Sequence, residues 1–515
     1  MAEDKVRSIR APSYLDALLP IIVLITLLAS AVFLYGADGT LGPIQVALML
    51  SMMVAGLVGL KNGHKWEDMG KAAVEGISQA MGAIFILLGV GALIGTWSMA
   101  GTIATIVHYG VQFLDPNWYY VACTIICGLL ALSIGSAWTV AGTLGVGLIG
   151  IANLLGVSPE ITAGAVISGA YFGDKMSPLS ETTNLAPAVS GTDLFTHIKN
   201  MLWTTAPSII LALVIFGLVG LRGEYKAPLD LTIVLEALES IFRVGILTLI
   251  PLLVVLIMSF RRISAFSTIL VGALVGGIMA AILQPDVVRA FVDDPSLSTP
   301  ITMVKGIWSA MATGFTVNSP YEGLNALFSR GGMSSMLETV WLIIAAMAFG
   351  GVMEYTGLLA KLIHPILKAA KTERKLLLAT GLTSVGINIV AGDQYMAIVL
   401  PGRMYREAYR AQDIAPETLS RQIEDTGTIT SPLIPWNSCG AYMAATLGIG
   451  TFVYLPYCFF NLINVAISLI YAAIGFQIKH LKPDQAVQKT PEKATLYGIG
   501  GQRVKSSEHE TAVTG

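Results

Sequence analysis

Charge is what this sequence has least of. Only 12% of its 515 residues are Asp, Glu, Lys or Arg, about half the share of an ordinary soluble domain. Their sum is −2, so no basic field exists to capture nucleic acid. Cysteine is scarce as well. Cys123, Cys127, Cys439 and Cys458 all lie in or beside apolar runs, which excludes a secreted disulfide framework. Cys123 and Cys127 stand one helical turn apart, but no His or second Cys pair accompanies them to complete a metal site. No Walker-type phosphate loop is present, so nothing points to nucleotide-driven chemistry. What remains is apolar: 54% hydrophobic residues, 53 glycines and a mean hydropathy of +0.70. These values describe an all-α polytopic membrane protein, because helices satisfy their own backbone in lipid.

A crossing needs about 20 apolar residues. Such runs fall near 17–35, 43–60, 74–96, 198–221, 241–260, 264–283, 336–357 and 453–476. The first is longer than a signal-peptide core and lacks a cleavage site, so it reads as a retained span. Residues 118–156 and 376–402 are apolar but broken by glycine; 160–196 and 417–450 are broken by Pro, Asp, Ser, Thr and Asn. Lys and Arg set sidedness. Lys5, Arg7 and Arg10, then Lys61, Lys65 and Lys71, Arg261 and Arg262, the cluster Lys361–Lys375, and Arg403, Arg406, Arg410 and Arg421 mark the cytoplasmic face. Gly36–Leu41 and Thr102–Asn117 carry neither residue and read as external. Segment 376–402 has basic clusters at both ends and is expected to enter and leave from inside, as a re-entrant hairpin. Segment 118–156 has none and is expected to do so from outside. The expectation is about ten crossings, two re-entrant hairpins and broken helices, with both termini cytoplasmic.

The two halves also resemble each other. At an offset of 256, Ala92, Gly95, Gly101, Ala104 and His108 match Ala348, Gly351, Gly357, Ala360 and His364. Val140-Ala141-Gly142 matches Val390-Ala391-Gly392, Pro159-Glu160 matches Pro416-Glu417, and Ser177-Pro178-Leu179 matches Ser431-Pro432-Leu433. With five crossings per half the second copy must lie upside down, an inverted repeat of the kind that secondary transporters use. The expected organisation is a cytoplasmic segment 1–14, a first repeat 15–222, an external linker 223–240, an inverted second repeat 241–478 and a disordered cytoplasmic tail 479–515.

The densest polar stretch in an apolar setting is Gly169–Pro187. It holds Asp174, Lys175, Ser177, Ser180, Glu181, Thr182, Thr183 and Asn184, with Gly173 and Pro178 as helix breakers. A charged side chain at the bilayer centre costs about 2.5–3.5 kcal/mol, and unwound backbone survives there only inside protein or beside a cavity. The second half supplies Glu424, Asp425, Thr426, Thr428, Thr430, Ser431 and Asn437, broken by Pro432 and Pro435. The hairpin tips add Ser133, Ser136 and Thr139, and Ser384, Asn388 and Asp393. Carboxylates, hydroxyls, amides and freed carbonyls from four breaks suit a small hard cation. The candidate ligands are Asp174, Ser177, Ser180, Glu181, Thr182, Asn184, Ser136, Asn388, Asp393, Asp425, Thr428 and Asn437, with Lys175 as a counter-charge that fills the site when ions leave. The competing readings are structural: hydroxyls bonded to their own helix, and Asp393 or Asp425 paired with Arg403 or Arg421.

GAVISGAYFGDKMSPLSETTNLAPAVSGTDLFTHI, with the preceding SIGSAWTVAGTLGVGLIGIANLLG, resembles the signature stretch of the NhaC family of sodium/proton antiporters. The likeness spans about residues 15–478. It implies the ion-transporter superfamily fold, a scaffold and a moving transport domain with two hairpins, a cytoplasmic (inner) membrane home, no prosthetic group or resident metal, and a homodimer as the state common among elevator-type relatives. Its partners would be membrane lipid, Na+ and H+. The implied function is exchange of Na+ for H+ at shared midplane carboxylates, and no enzymatic step. The alternative within the same superfamily is a Na+- or H+-coupled carrier or exchanger of a small organic acid or amino acid. A serine protease built on Ser136 would need a His beside it within the membrane, whereas His108, His197 and His364 fall near expected span ends. A passive channel would leave the repeat and the deep carboxylates without a role.

Overall fold

The computed structural model describes residues 9–35, 42–223, 231–320 and 322–481. The expected tail lies outside these from 482 on, as do 1–8 of the first segment, the loop 36–41 and 224–230 of the expected linker. The chain up to Lys479 is one compact unit; His480 and Leu481 are the described part of a second. Among the described residues all regular elements are helical, and extended backbone pairs at the isolated bridge Phe315–Arg330.

Among the described residues eight helices are long and apolar enough to cross a membrane, or up to ten if each of two bent pairs counts as one crossing. Large apolar side chains remain exposed along them, including Leu15, Ile22, Ile25, Phe33, Leu57, Ile210, Val214 and Ile282. Water would not tolerate so much exposed apolar surface, and lipid does. The chain is a multi-pass membrane protein.

Several expected segments hold more structure than the sequence reading gave them. The run 241–260 is not straight: Leu235–Ile241 and Ile246–Phe260 meet at 79°. The expected external linker contains the helix Leu231–Ile241. Thr102–Asn117, read from its charges only as external, is largely the helix Thr102–Phe113, which buries Ile103, Ala104, Val107, His108 and Val111. A helix Thr299–Thr313 forms where no span was expected. Thr102–Phe113 is short and amphipathic and packs its apolar side inward, whereas Thr299–Thr313 buries the small residues Thr302, Gly306 and Ala310 and leaves Ile301, Val304 and Trp308 exposed.

Element order repeats along the chain. Met81–Met99 and Thr102–Phe113 in the first half have counterparts in Leu337–Tyr355 and Leu358–Ala369. A helical hairpin follows each pair: Tyr119–Ile134 with Ala137–Leu155, and Glu373–Ala391 with Gln394–Ala411. Pro159 and Pro416, each at the first position of its helix, then open Pro159–Met176 and Pro416–Ile423, where a missing N–H does no harm. Both of these lead into a break, followed by Glu181–Ser190 in one half and Ser438–Leu447 in the other. Leu194–Arg222 and Phe459–Ile474 close the two copies and pack on each other.

In the first copy Tyr119–Ile134 lies tightly against Pro159–Met176. Gly169 and Gly173, one turn apart, let the backbones touch; a Cβ on either would run into the carbonyl of Thr124 or Gly128. Small residues at this spacing are how helices approach in lipid. Gly173→Ile is expected to destabilise the folded protein by about 1–3 kcal/mol or more, read as a lowered unfolding midpoint in detergent. An unchanged midpoint would mean that the interface can open without loss.

Candidate functional site

The two hairpin tips and the two helix breaks meet in the interior. Each hairpin turns on a left-handed glycine, Gly135 (φ 75) and Gly392 (φ 66), a conformation in which other residues are strained. A Cβ on Gly135 would strike Leu179 and the Ser180 nitrogen, and one on Gly392 would press on Trp436 O. Each tip is therefore seated on the break of its own half. The second arm of each hairpin then starts with a capping side chain. Ser136 accepts from Thr139 N at 3.2 Å, and Asp393 accepts from Met396 N at 3.0 Å, which satisfies otherwise unpaired helix N–H groups.

A cavity of about 870 Å³ opens where these parts meet. Its lining includes Ser136, Asp174, Ser180, Glu181, Thr182, Asn184, Asp393 and Ser438, with Arg262 from the loop Arg261–Ser264. Asp174 is placed by the last turn of Pro159–Met176, and its Oδ1 is buried without a hydrogen-bond partner. The Ser180 hydroxyl and the Ala137 N–H, at the start of a hairpin arm, lie close to the carboxylate. Glu181, at the exposed rim, accepts from the Tyr395 hydroxyl at 2.5 Å, which ties the two halves across the cavity.

The remaining candidates divide by what they touch. Asn184 donates to Pro178 O (2.9 Å) and Ser180 O (2.7 Å), and the Thr183 hydroxyl donates to the carbonyls of Asp174 (3.2 Å) or Lys175 (3.0 Å). The carbonyls of Pro178 and Ser180, and that of Asp174 or Lys175, thus already have side-chain donors. Ser177 lies outside the cavity lining and accepts from Leu179 N at 3.2 Å, holding the turn. Asn388 is also away from the cavity. It donates to Gly427 O and Thr430, and accepts from Asn437 at 3.0 Å. Asn437 itself caps Ser438–Leu447 through Cys439 N at 3.0 Å. These amides staple the second break and do not line the cavity. Thr428 is buried with its hydroxyl unpartnered.

Lys175 and Asp425 form a fully buried ion pair at 2.5 Å, joining the halves over 250 positions of sequence. Neither Asp174 pairs with Lys175, nor does Asp425 pair with Arg421, whose guanidinium reaches Asn200 Oδ1 at 3.3 Å instead. Thr204 lies 3.0 Å from Asp425 as a third member. Asp425 is consequently held by a protein cation and stands behind the cavity, not in its wall.

Sequence reasoning missed Tyr395, Thr204 and the weight of Glu424. Glu424 was visible only as one polar residue among several, yet it is wholly buried with neither oxygen bonded. Residues Glu424–Thr428 form a π-helical turn, a device common at functional sites. Its extra residue has no sequence signature. His197 is buried against Ser420 (2.5 Å), Ser136 bonds Thr139, and no His is among the residues lining the cavity with Ser136.

The sequence is similar to those of known proteins. A model of the Na+/H+ antiporter family matches residues 169–476, and one of the C4-dicarboxylate anaerobic carrier matches residues 1–221. The chain is 35% identical to the Na+/H+ antiporter NhaC of Alkalihalophilus pseudofirmus, over 84% of this chain and 91% of that one. It is 33% identical to the malate-2H+/Na+-lactate antiporter of Bacillus subtilis, over 85% and 91%. The arginine/ornithine antiporter ArcD of Halobacterium salinarum is 31% identical, over 94% and 97%. Two solved structures, the YdaH transporter of Alcanivorax borkumensis and MtrF of Neisseria gonorrhoeae, align over 90% and 88% of the chain at 13% identity, with TM-scores of only 0.35 and 0.37. By family model and by identity to full-length relatives, the chain belongs to the Na+/H+ antiporter family, whose members are transporters and not enzymes.

Proposed function

We propose that this chain exchanges Na+ for H+ across the cytoplasmic membrane, and that the two ions compete for Asp174. The observation that carries the reading is the unpartnered Asp174 oxygen at a cavity whose other polar walls are Ser136, Ser180, Thr182 and Asp393. Hard cations take oxygen ligands, and hydroxyls beside one carboxylate supply them. A carboxylate cannot hold a proton and Na+ on the same oxygen at once, so loading one ion releases the other. Lys175 supports this by holding Asp425 in every step, which leaves Asp174 as the charge that changes partners. The cavity reaches the loop Arg261–Ser264, placed on the cytoplasmic face by its arginines. Alternation would come from inverted halves moving the site as a unit, with both termini in the cytoplasm.

The test is a reconstituted-vesicle assay with a pH-gradient dye, with Na+, K+ and organic solutes supplied one at a time. Na+ alone is expected to collapse the gradient, and K+ alone is not.

A second reading is favoured by one feature. The cavity is far larger than a bare Na+ needs, and Arg262 in its lining could meet a carboxylate. An exchanger of a small organic acid, as the Bacillus subtilis relative is named, would use that space. Uptake of labelled malate or lactate in exchange for Na+ or protons would select it; Na+-driven proton movement with no organic solute selects the first reading.

A further inference from the structure

A second hollow, a groove of about 510 Å³, lies between the first helix, Tyr14–Tyr35, and the tip of the second hairpin. Leu24, Ile25 and Leu28 line one side, Ile389 and Val390 the other, and Trp436 joins them from the second break. The remaining lining side chains are apolar as well. The one polar group, the Trp436 indole N–H, donates to Ile389 O at 2.7 Å. Buried water needs about two to four polar partners, so neither water nor a hydrated ion has a place here. Ile25, Ile389 and Phe452 are exposed at the groove, which opens on the outer surface of the helices. In a membrane that surface meets lipid chains.

The groove and the ion cavity share no lining residue, yet both touch the same hairpin tip. Val390 precedes the turn residue Gly392, and Asp393 follows it in the cavity wall. An occupant of the groove therefore bears on the tip without entering the ion site.

Charge marks the cytoplasmic end of the first helix. From Thr356 to Thr372 the chain has no Asp or Glu, but it carries Lys361, Lys368 and Lys371. On the helix Leu358–Ala369, Lys361, His364 and Lys368 share one face, at i, i+3 and i+7, while Leu358, Leu359 and Ile363 are buried. This helix packs on Tyr14–Tyr35, and the Lys361 ammonium stands 4.5 Å from the centre of the Tyr14 ring. An aromatic face attracts a cation without neutralising it. Of the basic residues assigned to this side, Lys61, Lys71 and Arg410 each pair with an acid; among the described residues Lys361, Lys368 and Lys371 pair with none. Thr102–Phe113, the counterpart of this helix in the first half, has neither Lys nor Arg, so the fold itself does not demand the charge. Tyr14 and Leu24 are separated along their helix by about 15 Å. One leaflet of hydrocarbon is about as deep, being half of about 30 Å. A chain anchored beside Lys361 and laid along the first helix ends in the groove.

We infer that the groove and the basic face of Leu358–Ala369 form one binding site for an anionic phospholipid, with an acyl chain in the groove and the headgroup phosphate against Lys361 and Lys368. The lysines select the headgroup by charge. The chain fills apolar space that water cannot, and braces the hairpin tip against the first helix. The site is the same whichever solute the protein exchanges.

The experiment is tryptophan quenching of the full chain in phosphatidylcholine vesicles, to which phosphatidylglycerol or phosphatidylcholine with acyl chains brominated near their middle is added. Trp436→Phe, measured alongside, isolates the Trp436 signal. Brominated phosphatidylglycerol is expected to quench that signal at about tenfold lower mole fraction than brominated phosphatidylcholine. Lys361→Glu combined with Lys368→Glu is expected to abolish the preference. Ala29→Phe, which adds bulk to the groove wall, is expected to weaken quenching by both lipids. Equal quenching by the two lipids in wild type overturns the inference without any variant, and so does a Trp436 signal that neither lipid quenches. Quenching that appears only when the protein is diluted in the vesicles assigns the groove to a second copy of the chain and also overturns it. So does a folded double variant that keeps the wild-type preference.

Discussion

Asp174→Asn is expected to reduce Na+-driven proton movement by about 10²–10³-fold, equivalent to about 3–4 kcal/mol. The amide keeps the shape of the side chain and its neighbours Ser180 and Ala137, but it neither carries a titrating proton nor offers a formal charge to Na+. Because Oδ1 has no protein donor, the substitution breaks no hydrogen bond seen at that atom, and the fold is expected to survive. The measurement is Na+-induced dequenching of a pH-gradient dye in everted vesicles, with expression and elution profile as the folding control. Dequenching at the wild-type level would remove Asp174 from the mechanism.

The second large effect lies behind the cavity. Lys175→Met leaves Asp425 buried without its counter-charge, and is expected to destabilise the protein by about 3–5 kcal/mol. Adding Asp425→Leu removes the orphaned charge, and the double variant is expected to recover most of that loss, since an apolar pair often replaces a buried ion pair without penalty. Thermal unfolding in detergent reads both. The single variant also offers a vacant cation position beside Asp425, so raising Na+ should restore part of its stability by mass action, and K+ should do less. If Lys175→Met unfolds at the wild-type temperature, the pair at 2.5 Å has no structural role, and the claim that it holds one carboxylate out of the ion exchange loses its support.

How much of this could be read in advance depended on distance along the chain. Gly173–Asn184 announced itself because a Gly, a Pro and eight polar residues interrupt an apolar run, and no packed helix tolerates that without a cavity or a partner. The hairpin tips at Gly135 and Gly392 were legible for the same local reason. Partnerships across the halves were not. Nothing in the sequence says that Lys175 meets Asp425, or that Tyr395 meets Glu181, 250 and 214 positions away. The choice between Glu424 and Asp425 turned on one additional residue in a π-helical turn, which rotates adjacent side chains to different neighbours and leaves no periodic trace. Asn388 and Asn184 were read as cation ligands because amides in a membrane need a purpose. Their Nδ2 groups cap carbonyls that the breaks release, and Asn184 also lines the cavity. The charge bookkeeping left the helix Thr102–Phe113 unseen because absence of Lys and Arg reports sidedness, not backbone conformation.

Competition between Na+ and protons for Asp174 is tested most directly by proton release from the purified protein in weakly buffered detergent solution. Adding NaCl should acidify the medium in proportion to bound Na+, choline chloride should not, and Asp174→Asn should release fewer protons. Saturable binding of radioactive Na+ with no proton released, by wild type near neutral pH, would contradict the account.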